Sequence, residues 1–182
     1  MKTIYIVCEG EVTEVSYFEH VKKLYDSELQ RKGLNLQIAF VGDHKLKKIQ
    51  NEAKKLKKNQ RNSICFACFD IDSTQNKPQE LNTIISLLKK EVGCNIFKHY
   101  MVSNKQFEVW LQWHFSDAIP WTNSGNPNPD KPTKEQKKDL TNQIKDITKN
   151  HIKSAIGRAK SNNVDYNTNQ PFSTCHLIEN FF

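Results

Sequence analysis

Residues 63–72 read Ser-Ile-Cys-Phe-Ala-Cys-Phe-Asp-Ile-Asp, an apolar run that ends in two aspartates spaced i, i+2. Its length and the Lys/Asn-rich breakers around it favour a strand buried on both faces over a piece of helix. Residues two apart on a strand point the same way. Asp70 and Asp72 therefore face one side at the strand's carboxyl end, where open α/β sheets place their ligands. Two carboxylates ~6 Å apart repel by roughly 3 kcal/mol at an effective dielectric of ~20, and a divalent cation between them reverses that sign. Hard oxygen donors of this kind suit Mg²⁺, Mn²⁺ or Ca²⁺ rather than zinc. Without a ligand, the same pair reads as a helix cap and a solvated carboxylate.

The elements that must position these aspartates alternate between strand and helix patterns. Ile4 to Cys8 form a first strand that runs into Glu9-Gly10-Glu11. A helix follows from Thr13, its apolar stripe (Phe18, Val21, Leu24, Tyr25) continuing to Gly33. Leu34 to Val41 alternate as a second strand, closed by Gly42. Residues 44–60 form a helix with an Ile49, Ala53, Leu56 face and a dense lysine face that includes Lys45, Lys47, Lys48, Lys54, Lys55, Lys57 and Lys58. After the aspartate-bearing strand, a helix begins near Pro78 and ends at Gly93, and Asn95 to Val102 give a fourth strand. This β-α-β-α-β-α-β run predicts a parallel sheet flanked by helices, a Rossmann-type α/β fold. A flavodoxin-type order, 2-1-3-4, sets strands one and three side by side and brings Glu9 next to Asp70 and Asp72.

Beyond Val102, Ser103 or Asn104 is a good N-cap for a helix whose Phe107, Trp110 and Leu111 share one face. Trp110, Trp113 and Phe115 read as core more readily than as base-stacking platforms. A phosphate contact by Ser103, Asn104 and Lys105 at that helix start competes with a plain cap and a Glu108–lysine pair. His114 and His176 read as structural histidines before they read as proton carriers. Residues 1–118 thus make an α/β core and 119–132 an Asn/Pro-rich linker. A C-terminal helical extension, 133–182, packs on the core, with helices near 133–149 and 151–161 and a last one from Ser173.

The 182 residues carry 27 Lys and Arg against 20 Asp and Glu, a formal charge of +7 that favours a polyanionic partner. No apolar run is long enough to span a bilayer, and the N-terminus reads as a strand rather than a signal peptide. Five cysteines, an odd number lying mostly in apolar runs, point to reduced thiols and a cytoplasmic protein. Cys65 and Cys68 form a CxxC, but three apart on a strand they face opposite ways and cannot share a zinc ion.

Three stretches together resemble the RloB-like (AbiLii-type) family, a branch of the TOPRIM superfamily associated with phage abortive infection. They are residues 6–14 (Ile-Val-Cys-Glu-Gly-Glu-Val-Thr-Glu), 69–72 (Phe-Asp-Ile-Asp) and 103–111 (Ser-Asn-Lys-Gln-Phe-Glu-Val-Trp-Leu). The ending Thr174 to Ile178 is also similar to that family's tail. The resemblance implies a TOPRIM fold in which Glu9, Asp70 and Asp72 hold a divalent metal. It also implies a nuclease-like activity in loci that often include a companion ATPase.

The expected function is therefore Mg²⁺- or Mn²⁺-dependent phosphodiester hydrolysis. Glu9, Asp70 and Asp72 are the ligands, and Glu14 is either a further ligand or an exposed acid favoured by the helix dipole. Lys54, Lys55, Lys58, Asn104 and Lys105 are the candidate contacts to DNA or RNA. The alternative is a non-catalytic nucleic-acid-binding or regulatory subunit of an ATPase-containing defence system.

Overall fold

The computed structural model describes residues 1–43, 45–60, 62–71, 82, 86, 99–104, 106–117, 132–162 and 172–181. Five strands form one sheet in the order β2-β1-β3-β4-β5: β1 (Lys2–Cys8), β2 (Leu34–Phe40), β3 (Ser63–Asp70), β4 (His99–Asn104) and β5 (Phe172–Ser173). The first four are parallel, as the alternating pattern predicts, and β5 is antiparallel to β4. Central β1 pairs with β2 and β3 so that Phe40, Cys8 and Cys68 stand abreast. Everything after Cys8 and Cys68 consequently emerges at one edge of the sheet.

The helices are α1 (Thr13–Leu24), α2 (Asp26–Arg31), α3 (Leu46–Asn59), α4 (Glu108–Gln112), α5 (Lys134–Gln143) and α6 (Lys149–Asn162). Two short 3-10 segments, Ile144–Asp146 and Cys175–Phe181, complete the described elements. The strand period sorts the core into two layers. Ile4, Ile6, Cys8, Phe66, Cys68 and Met101 pack under α1 and the C-terminal helices. Tyr5, Val7, Cys65, Ala67, Phe69 and Val102 pack against Ile49 and Ala53 of α3. Cys65 and Cys68 thus fall in different layers, as the CxxC spacing requires. All four described cysteines are buried free thiols, and Cys94 lies outside the described residues.

Three expectations change. The single helix from Thr13 to Gly33 is two: the backbone leaves helical geometry at Tyr25 (φ −113°, ψ 15°), whose ring is buried and carries the Lys149 ammonium 4.8 Å from its centroid. Gly33 does end the second piece, at a φ of 64° that costs glycine little. Ser103 and Asn104 are not helix caps but the last residues of β4, and α4 starts four residues further on with no capping side chain. The last helix, expected from about Ser173, is a 3-10 segment, Cys175–Phe181, that carries Leu177, Ile178 and Phe181, while Ser173 itself belongs to β5. The expected helix from Pro78 and the Asn/Pro-rich stretch lie almost wholly outside the described residues, though Asn82 and Ser86 are helical.

Just after β5, the Thr174 hydroxyl helps hold the chain's end to the sheet. Thr174 Oγ1 accepts from the Val102 N–H at 2.7 Å and donates to the Tyr100 carbonyl at 2.8 Å, while its own N–H bonds to Val102 O. Thr174 is 1 % exposed, so water cannot replace that hydroxyl. Thr174→Val should cost about 1–3 kcal/mol, the penalty of a buried, unpaired amide, whereas Thr174→Ser should cost less. Urea denaturation of both variants measures the difference, and equal losses would show that shape rather than the hydroxyl matters.

Candidate functional site

The carboxyl edge gathers acidic side chains from four segments. Glu9 follows β1 directly, its N–H bonded to Cys68 O at 2.9 Å and its carbonyl to the Gly42 N–H at 3.0 Å. With the backbone clamped between both neighbours, the Glu9 side chain turns toward β3 and its Oε2 accepts from the Asp70 N–H at 2.9 Å. Asp70 ends β3 on the same parity as Phe66 and Cys68, and therefore on the α1 face. Glu14 comes from the first turn of α1, and Glu108 from the start of α4, which β4 delivers beside Asp70 through its Asp70–Ser103 register.

Glu14 is not the exposed first-turn acid that the dipole argument allows. It is 8 % exposed, its carboxylate folded back over Gly10 and hydrogen-bonded to the backbone of Glu14 itself and of Gly10. A Cβ on Gly10 would lie 2.9 Å from the Glu14 carboxyl carbon, so only glycine lets the two approach. Glu108, 5 % exposed, forms an ion pair with Lys137 at 3.6 Å, which is the Glu108–lysine pairing the sequence allows. Asp70 is half-buried as a residue, yet its Oδ1 is sealed from solvent with no hydrogen-bond partner among the described residues.

These groups disturb one another in the manner of buried like charges. Burial pushes the Asp70 carboxyl well above the usual carboxylate range, and the charges of Glu14, Glu9 and Glu108 raise it further. A hydrogen bond from the Phe107 backbone opposes that rise only in part. Glu14 is raised too, first by burial, with Glu108 adding and Lys137 opposing. The edge therefore holds protons at a pH where ordinary carboxylates have lost them.

The donor set fits a hard divalent cation. Its donors are carboxylate oxygens, and one of them is buried with no partner among the described residues. Glu9, Asp70 and Glu14 are the described residues that would hold such an ion. Asp72 and Lys105 lie outside the described residues. Among the described residues, no three His, Cys, Asp or Glu side chains are drawn together tightly enough to form a finished ligand set.

The other candidates are placed elsewhere. Asn104 is 3 % exposed within β4, and Ser103 bonds to Ser173 Oγ at 3.0 Å, so neither presents its side chain to solvent. Lys54, Lys55 and Lys58 are exposed on α3, on the opposite face of the sheet from Glu14, and Lys55 pairs with Glu52 at 3.5 Å. They lie about 10–17 Å along the helix axis from Lys47, in the first turn of α3 after β2. His114 is a core residue: Nδ1 donates to Trp110 O at 2.9 Å, Nε2 accepts from the Tyr17 hydroxyl at 3.1 Å, and burial lowers its pKa to about 3. His176 is also lowered by burial, and its Nδ1 faces Ser173 O at 3.3 Å.

Sequence reasoning did not place Lys137 at the site, and it weighed Glu108 only as a lysine partner. Glu108, four positions after Asn104, follows a strand that ends at the acidic edge, and that placement carried a signal for it. Lys137 is 29 residues further on, across a segment with no pattern.

A raised carboxyl opposes folding as it ionises. The folded form binds its proton more tightly than the unfolded chain does, so stability is full below the unfolded pKa and is lost as pH rises toward the folded value. In EDTA, Asp70→Asn should therefore raise the thermal midpoint at pH 7, by several degrees if about 1 kcal/mol of repulsion is removed. The gain should vanish near pH 4. Scanning calorimetry at the two pH values checks the sign, and a destabilised variant at pH 7 would contradict the charge assignment. His114 acts in the opposite direction, losing stability below its ordinary 6.5, but equally in both proteins, and so it cancels in the comparison.

No curated protein and no solved structure matches the chain significantly. The family model described as RloB-like protein matches residues 4–180, a range that includes all four acidic positions of the site. The chain belongs to the RloB-like protein family.

Proposed function

We propose that this protein is a divalent-metal-dependent nuclease of TOPRIM type, working in the cytoplasm as part of phage defence. The observation that carries the reading is the convergence of Glu9, Glu14, Asp70 and Glu108 at one sheet edge, with the Asp70 Oδ1 buried and without a partner among the described residues. Such an arrangement costs stability as an end in itself and is useful where a cation and a phosphate must meet. The resemblance to abortive-infection proteins is what supports the defence role and a companion ATPase.

Glu9, Asp70 and Asp72 would hold Mg²⁺ or Mn²⁺, and when bound the ion neutralises the phosphate and lowers the pKa of a water. The chain's own residues supply the rest. The Glu9 carboxylate is aimed by the Asp70 N–H, so a shift in β3 relative to β1 moves both at once. Asp70 would give up its proton to serve as a ligand, and the raised Glu14 carboxyl, where it is not itself a ligand, would be a proton source for a leaving oxygen. Lys47 and Lys48, exposed in the first turn of α3, which follows β2 from the sheet's carboxyl edge, would add positive charge for a nucleic-acid backbone beyond the site.

Cleavage of a panel of labelled DNAs and RNAs in Mg²⁺, Mn²⁺ and EDTA tests the reading. Glu9→Gln and Asp72→Asn should each remove most of the metal-dependent rate, and the double variant should be little worse than either, because residues acting as one unit lose non-additively. Multiplying losses would separate the carboxylates into independent roles. Lys47→Ser with Lys48→Ser should flatten the log–log salt dependence of binding by about 1–2 units, more than Lys54→Ser with Lys58→Ser does. Nucleic-acid binding in Ca²⁺ without cleavage in any metal, with or without an ATPase partner, would favour the second reading of a regulatory, non-catalytic subunit.

A further inference from the structure

The acidic edge is served by a cation that comes from the far end of the chain. Lys137 Nζ lies 3.6 Å from Glu108 Oε1, and its charge is also felt at Glu14. Much of α5 exists to fix that position. Its first turn is locked by a reciprocal capping box in which Gln136 N donates to Thr133 Oγ1 and Thr133 N donates to Gln136 Oε1 at 2.8 Å. Leu140, one turn beyond Lys137 on the same face, is 5 % exposed in the core. Thr141 Oγ1 lies 3.4 Å from Thr13 Oγ1, which joins α5 to the first turn of α1, the turn that carries Glu14.

The two partners differ sharply in their access to water. The Glu108 side chain is 6 % exposed and that of Lys137 is 38 % exposed. Glu108 is fixed and desolvated, whereas Lys137 reaches it from the rim on a flexible four-carbon stem. An ion pair of this kind is easily exchanged from its lysine side. A dication on the neighbouring carboxylates would repel the ammonium and take over the neutralisation of Glu108. The nearest anion then open to a rim lysine is the phosphodiester that the dication itself has drawn in.

We propose that Lys137 is an exchangeable counter-ion of this site: it pairs with Glu108 while the carboxylates hold no dication, and contacts the substrate phosphate once they do. The proposal rests on the nuclease reading, since it assumes that a dication and a nucleic acid both come to this edge. It assigns the C-terminal helices a part in substrate binding, and not in packing alone.

The test uses the full chain, Ca²⁺ or Mn²⁺ measured by calorimetry, and a short fluorescein-labelled oligonucleotide in single- and double-stranded form. Lys137→Met keeps the stem and removes the charge. Its affinity for the metal alone should rise by several-fold, because a competing cation is gone. Its affinity for the oligonucleotide in Ca²⁺ should fall, and the log–log salt slope should flatten by about 1 unit, the mark of one lost phosphate contact. Lys137→Arg should restore the slope. If the wild type binds metal and oligonucleotide but Lys137→Met leaves both affinities and the slope unchanged, Lys137 is only a structural partner of Glu108 and the proposal fails alone. If the wild type binds no metal at all, the nuclease reading fails first and takes this proposal with it.

Discussion

Carboxylates removed from water beside other carboxylates need a compensating charge, and the carboxyl edge of this sheet is built around that need. Asp70 is the centre of it. Its side chain is sealed on one oxygen, and three other acids add their charge. Each surrounding feature answers the excess negative charge in its own way. The Phe107 N–H hydrogen-bonds to Asp70, the Asp70 N–H takes one Glu9 oxygen, Gly10 gives up its Cβ so that the backbone can serve Glu14, and Lys137 meets Glu108. Raised proton affinity covers what remains. A dication would replace most of these partial remedies at once.

The fold makes that crowding unavoidable. Cys8 and Cys68 pair across β1 and β3, so the residues that follow each strand leave the sheet abreast. α1 returns over the same face with Tyr17, Phe18 and Val21 buried against it, which forces Glu14 inward. Tyr17 in turn meets Phe18, Phe107 and Trp110 edge to face at 5.1–6.2 Å, and these rings hold α4 and Glu108 in place. The apolar packing and the charge placement are one construction: moving either layer would displace the acids.

Much of this was legible from the chain alone. Strand and helix periods, the parallel sheet, its 2-1-3-4 order and the juxtaposition of Glu9 with Asp70 follow from local pattern plus topology. So does the split of Cys65 and Cys68 between two layers. What escaped depends on contacts remote in sequence. Ser103 and Asn104 look like helix caps because their side chains suit one, yet the tail strand claims Ser103 through Ser173 and extends β4 past the expected end. Two-residue β5 has no period to detect. Tyr25 continues a helical stripe by spacing, and the break there leaves its ring stacked under a lysine that lies 124 residues later. Lys137 belongs to the same class: nothing around it in sequence refers to Glu108.

A dication binding at this edge would compete with protons for the same buried carboxylates. Titrating Mn²⁺ into the protein calorimetrically at pH 7, in buffers of different ionisation enthalpy, counts the protons released for each ion bound. The account predicts a measurable release, a substantial fraction of a proton or more, that shrinks as the pH is raised and falls in Asp70→Asn. Binding with no proton release at pH 7 would mean that the acidic edge is already ionised, and the charge-crowding account would be wrong.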